Sequence, residues 1–527
     1  MKLNLPQVLL LTLFFYLQSF ILLGQKPIEP PSLIVQPVKI EIPEADYRLM
    51  GKKFQFSHFI TRMKYAPGWG LVSLNFGESK NNATYALLDT ENDPIRWSRN
   101  GFHQFQILNG NYGLREFNGK NYLIRLQDGG VLRKVYRKNL VMVDDSVAIH
   151  LGQNFEMVDL KTGKLKWTRP GAKSFDGWMS DQFDEDWMYV VAGGLHGFKI
   201  AAGGGWYESF KTDYDATKGG GTVANIFLGA LSISDIAFGG VGDVPFVPKK
   251  RVHNIHTRPL IEEEQLFFAN RKNVQSRNKY TGELLWEQEL LEELGMSELK
   301  KWRKDELLLV SKGYRFISNN PELFNQASFH RINSKTGVIE FEGYLDKGDV
   351  VVNYATNDEF VYVLGLDRVY QLDIHLQKLG RYEMPANYGH PLRVVSWSSS
   401  MYEDFIKTDN PDLPVIIRTT LGLLALHPVT FDELWFKRLG PFVEGSPDRP
   451  TWQDLLSMAD QESSRYQVDL DREIFWFTKE GTLVGVDLYK QGEIIGEFPL
   501  GSDNFWFSED GRIVHSGGRY IQVLYFD

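Results

Sequence analysis

One pattern constrains the fold of this chain more than any other: Asp-x-x-Thr-Gly-x-x-x-Trp, set at the end of an alternating apolar run and repeated along most of the 527 residues. NFEMVDLKTGKLKWTRP (154–170) is the clearest copy, with Asp159, Thr162, Gly163 and Trp167. VQSRNKYTGELLWEQEL (274–290) repeats it with Thr281, Gly282 and Trp286, and SFHRINSKTGVIEFEGYL (328–345) with Thr336, Gly337 and Phe341. Worn copies follow the same plan: YALLDTENDPIRWSR (85–99) keeps Asp89 and Trp97, LLALHPVTFDELWFKRL (423–439) keeps Trp435, and LVGVDLYKQGEIIGEFPL (483–500) keeps Asp487 and Gly492. VYQLDIHLQKLGRYEM (369–384) is weaker still, as are units around 122–135 and 197–210 and the closing GRIVHSGGRYIQVLYFD.

Each copy reads as a hairpin. Alternation buries one side of each strand, the glycine takes a positive-φ turn position, and the aromatic packs between neighbouring sheets. A lone hairpin is unstable, whereas radial stacking of such units buries their faces and leaves short, protected edges. The expected fold is therefore all-β: a single β-propeller of eight to ten four-stranded blades spanning residues 50–527. The sequence closes on an alternating strand with no outer strand after it, and VQPVKIEI (35–42) is expected to supply one.

On these residues the repeat resembles that of the PQQ-like, quinoprotein alcohol dehydrogenase-like β-propeller family, in a branch similar to the outer-membrane assembly factor BamB. For the enzymes of that family the resemblance implies an adjacent cysteine pair over the quinone and a calcium or lanthanide beside a catalytic Asp. This chain has no cysteine. The pair is missing, PQQ is not expected, and no other cofactor is expected. The lipoprotein cysteine of the BamB branch is missing too, together with disulfides and thiolate metal sites.

Other site chemistry is sparse. His253 and His256, in VHNIHTRP, are the best metal candidates, yet on an extended strand positions three apart face opposite sides, so both reach one ion only from a turn. The acidic group Asp184, Glu185, Asp186 sits between two strands and reads as a solvated turn. No nucleophile elbow, zincin helix or Walker loop occurs. A formal net charge of -9 argues against a surface built on phosphate contacts.

Five segments depart from the repeat. MKLNLPQVLLLTLFFYLQSFILLG (1–24) has Lys2 and then an apolar stretch, and reads as a secretory signal peptide or, at about 20 residues, an uncleaved anchor. A proline-rich linker (25–49) with a closing strand follows. Within 213–251 lies the insertion GGGTVANIFLGALSISDIAFGGVGDVPFVP (219–248), whose only charges are Asp235 and Asp243. An apolar run of that length needs cover from the propeller, another protein or lipid; Ile226, Phe227, Leu228 and Phe238 are its candidate partner contacts. LLEELGMSELKKWRKDELL (290–308) and PTWQDLLSMADQESSRY (450–466) read as helices. The functional expectation is a non-catalytic, exported scaffold for envelope or outer-membrane proteins in the periplasm or at the outer membrane's periplasmic face. The alternative is a degenerate quinoprotein-like oxidoreductase, or a sensor that holds a small ligand in the propeller channel.

Overall fold

The computed structural model describes residues 32–526, apart from 42–47, 67, 78–82, 93–94, 101–103, 118–119, 136–139, 172–180, 193, 209–256, 318–319, 396–413, 441–451, 462–465, 470–472, 480, 489, 501–504 and 509–510. The segments 1–24 and 219–248 lie outside the described residues, and with them the signal-peptide and insertion readings. The chain is all-β of the propeller class, at the upper end of the expected blade count: ten antiparallel sheets of four or five strands, plus one two-stranded hairpin, Tyr314–Ile317 with Asn320–Leu323. It divides into two compact units, one of 1–151, 155–166 and 499–527, the other of 152–154 and 167–498.

Within a sheet the four strands have different burial, and the reason is packing on two faces. Second strands such as Leu71–Phe76, Val147–Leu151, Trp187–Val191 and Val415–Thr419 are buried at every residue. Their sequences LVSLNF, VAIHL, WMYVV and VIIRT accordingly read as runs rather than alternations, since both faces meet a neighbouring sheet. Alternation survives on fourth strands: after an exposed first residue, Leu165–Pro170, Leu284–Glu289 and Lys378–Glu383 expose every second residue. The cores accordingly lie between consecutive sheets. Leu266 and Phe268 of one sheet pack on Trp187, Tyr189, Val191 and Leu195 of the preceding one, and Val361, Val363 and Tyr370 pack on Leu308, Val310 and Phe329. In a close-packed interior each such layer resists loss of even one methylene.

The turn between third and fourth strands explains the sequence signature. Asp159 Oδ1 accepts both the backbone N–H and the hydroxyl of Thr162 at 2.8 Å, and the Gly163 N–H donates to the Asp159 carbonyl at 2.8 Å. Asn278 and Asn333 take the same role toward Thr281 and Thr336. Side-chain acceptors of this kind stabilise turns by satisfying exposed N–H groups. In the worn copy His427 Nδ1 accepts from Thr430, and Phe431 holds φ 62° where other copies have glycine. The strand at the closing position differs from expectation. Arg48–Phe56, not 35–42, pairs with Tyr520–Phe526, and Leu33–Glu41 lies outside it as a fifth strand with nine paired residues.

Of the two expected helices, Trp452–Gln461 forms, with Leu455 and Leu456 buried. The other does not: 297–303 and 306–311 are strands. Leu299 and Trp302 have helical spacing because a bulge between Lys301 and Arg303 shifts the register by one, so residues three apart fall on one face. The charges that suggested a helix surface are paired across strands, Lys301 with Glu262 at 2.5 Å and Lys300 over the Tyr354 ring at 4.0 Å.

Candidate functional site

Four tryptophans of the repeats each close a seam between two sheets. Trp97 Nε1 donates to the Leu126 carbonyl at 2.6 Å, Trp206 to Lys279 at 2.9 Å and Trp286 to Ser334 at 2.9 Å, while Trp167 donates to Ile200 at 2.8 Å. The acceptors for Trp206 and Trp286 directly follow the turn residues Asn278 and Asn333. The ring face covers the turn glycine. A Cβ on Gly282 would stand 2.6 Å from the Trp206 ring and one on Gly337 2.5 Å from that of Trp286, so the indole needs glycine there as much as the φ of 74° and 77° does. Each indole N–H bond adds about 1 kcal/mol to the area buried.

One seam in the first unit is built differently. In the ladder of Arg48–Phe56 with Tyr520–Phe526, Lys52 lies opposite Val523, as Trp286 lies opposite Ser276 and Trp97 opposite Leu87. Its Nζ donates to the carbonyl oxygens of Thr90 at 3.2 Å and Glu91 at 2.9 Å. Thr90 directly follows Asp89, which caps its turn by accepting from the Glu91 and Asn92 N–H groups. Lys52 thus stands in the tryptophan register and reaches the equivalent carbonyl.

The receiving turn is held firmly. Thr90 Oγ1 donates to the Gly70 carbonyl at 2.7 Å, and Arg96 holds Asp89 through Nε at 3.0 Å and Nη2 at 2.8 Å. Burial works to raise the Asp89 carboxyl, but the bonds from Asn92 and Arg96 outweigh it and keep the pKa below the usual carboxylate range. Arg512 pairs with Glu91 across the seam. Because a lysine stem is thinner than an indole, a cleft of about 310 Å³ remains, lined by Gly51, Lys52, Thr90, Glu91, Arg512, Val523 and Tyr525. Val523 is buried and Tyr525 is 48% exposed at the mouth.

A second polar cluster, in the other unit, is engaged with both backbone and side-chain partners. Asp349 accepts from the Val350 and Leu366 N–H groups and from the Tyr370 hydroxyl at 2.8 Å, while Asp346 receives Lys378 and Arg381 at 2.6 and 2.8 Å. This arrangement ties a linker to two strands.

Most of the residues singled out from the sequence fall outside what the structure describes. His253, His256, Ile226, Phe227, Leu228 and Phe238 lie outside the described residues. Asp184 ends a strand and pairs with Lys279 at 2.5 Å, and Glu185 holds φ 49° in the turn that follows. Among the described residues no group of three His, Asp or Glu side chains is placed to hold a metal ion. The cleft residues were not among the candidates, because Lys52 belongs to a fourth strand whose third strand lies at residues 520–526 and so has no repeat signature ahead of it.

Ten sheets of four or five strands, with four indole seams and a lysine seam among the described residues, define a β-propeller protein with a surface cleft. No family profile and no curated protein matches the chain. Among solved structures it is similar to BamB from Moraxella catarrhalis, 12% identical with a TM-score of 0.34 over 75% of this chain and 97% of that one. It is also similar to the computationally designed protein Ika8, 10% identical with a TM-score of 0.29 over 73% and 98% of the two chains.

Proposed function

We propose that this chain is an exported, non-catalytic propeller that serves as a protein-binding scaffold in the bacterial cell envelope. The observation that carries this reading is the outer strand of successive sheets. Leu165, Leu284, Leu285, Leu379, Leu434 and Ile494 all stand exposed on fourth strands whose other face is packed, with Leu379 57% exposed. Isolated exposed aliphatics are ordinary, but here they recur at the first two positions of fourth strands, four of them (Leu285, Leu379, Leu434 and Ile494) at the second, and make a surface suited to apolar contact. The chain offers a precedent for an extended segment at such an edge, since Leu33–Glu41 adds to Arg48–Phe56 as a fifth strand.

Ile226, Phe227, Leu228 and Phe238 of the insertion are proposed as a second contact. Export and envelope location rest on the apolar segment 1–24; among the described residues no helix is long and apolar enough to cross a membrane. The test is in-cell crosslinking and affinity recovery from an envelope fraction with the wild type, with Leu284→Glu, Leu379→Glu and Leu434→Glu combined, and with 219–248 deleted. A defined partner recovered with the wild type and lost with either variant, at unchanged thermal stability, supports the scaffold. Equal recovery with all three forms overturns both contact surfaces, and no recovery with any form moves the reading to a small ligand.

A further inference from the structure

We infer that the cleft beside Lys52 is a slot for a planar aromatic side chain, tryptophan above all, presented by a partner polypeptide. This inference rests on the scaffold reading and names the chemistry of one contact. The first observation is register. Lys52 lies at the ladder position that Trp97, Trp206 and Trp286 occupy in their own sheets, and it reaches the carbonyl that the indoles reach elsewhere. The molecule itself shows, at these other seams, which group fits between a fourth strand and a capped turn.

The second observation is space. The cleft measures about 310 Å³, at the lower end of the range of about 300–1,000 Å³ typical of ligand sites. Its walls are the Val523 side chain, the Tyr525 ring at the mouth and the backbone at Gly51, where the strands approach so closely that a Cβ would stand 2.1 Å from the Val523 carbonyl. Position 51 therefore stays free of a side chain and one wall stays flat.

The third is charge. The cations at the cleft are already engaged, Arg512 with Glu91 and Lys52 with two carbonyl oxygens. An anionic ligand would have to displace these bonds and approach Glu91. A neutral π-face need not: an ammonium below an aromatic ring is attractive without surrendering its hydrogen bonds, and the exposed Tyr525 ring adds an edge or face contact. The occupant that fits is aromatic and uncharged, and a protein partner supplies it where a free amino acid would bring a carboxylate to Glu91.

The experiment uses the full chain and 5-fluoro-N-acetyl-tryptophanamide as the probe, read by the fluorine linewidth. Wild type is expected to broaden the signal in the millimolar range, and Lys52→Trp, which fills the slot from within, to weaken binding about tenfold or more. Tyr525→Ala, at an exposed position, is expected to weaken it severalfold and serves if Lys52→Trp does not fold. Absence of broadening with wild type, or equal broadening with Tyr525→Ala and a folded Lys52→Trp, overturns the slot. Partner recovery by the scaffold test above with no probe binding would leave the scaffold standing and remove only this contact.

Discussion

The seam between Trp286 and the turn at Asn333 and the seam between Lys52 and the turn at Asp89 solve one problem in opposite ways. In the first, an indole donates its N–H at 2.9 Å and lies so close over a glycine that a Cβ there would stand 2.5 Å from the ring. In the second, a flexible cation bonds two carbonyls and leaves about 310 Å³ open. A rigid apolar plate maximises area removed from water, whereas a lysine satisfies the carbonyls but keeps part of its stem and the opposite wall wet. Stability concentrates in the first arrangement and accessibility in the second.

The comparison breaks if the indole seams are not the stronger ones. Trp286→Ala should lower unfolding stability by about 3–5 kcal/mol, seen as a lower urea midpoint, because it opens a cavity and strips the donor from the Ser334 carbonyl. An effect under 1 kcal/mol would mean the seam is held elsewhere. Acid probes the same unit at His196, which is buried, lies against the Tyr207 ring at 4.4 Å, and contacts the Ala192 carbonyl at 3.1 Å. Burial pushes its pKa down to about 4, while an unfolded imidazole titrates near 6.5. Between these values the unfolded state binds more protons, so stability is intact above pH 6.5 and falls as pH drops toward 4, by about 3 kcal/mol in total. His196→Phe should flatten that part of a urea-midpoint profile; an unchanged slope would assign the acid loss to other groups.

Finer changes sharpen the contrast. Gly282→Ala meets both a φ of 74° and the Trp206 ring, and should cost about 2 kcal/mol by chemical denaturation. Lys52→Met keeps the stem and loses the bonds to Thr90 and Glu91, and should cost only about 1 kcal/mol. If it cost as much as Trp286→Ala, the lysine seam would be a structural equal of the indole seams.

How much of this could be read from the residues depends on how local each feature is. Turn, glycine and tryptophan lie within nine positions of one another, so Asp159, Gly163 and Trp167 announce a hairpin and the repeat announces the propeller. Histidine at 427 and phenylalanine at 431 obscured a copy whose turn still forms, since an imidazole nitrogen accepts like a carboxylate and the packed ring holds a positive φ. The strand at 297–303 read as a helix because its bulge imitates a three-residue spacing. Nothing local could reveal the cleft, whose walls come from residues 51–52, 90–91 and 512–525.

The pairing of Arg48–Phe56 with Tyr520–Phe526 has a consequence for synthesis. Ribosomes add about 5–20 residues per second, so the early strand waits on the order of half a minute or more before its partner exists. During that interval its edge and the apolar side chains Leu49, Phe54 and Phe56, all buried in the finished protein, have no sheet to join. Export before folding, or a chaperone bound to the nascent chain, would shelter that edge, and the sheet shared by both strands would be the last to register and the first to reveal a stalled or truncated product.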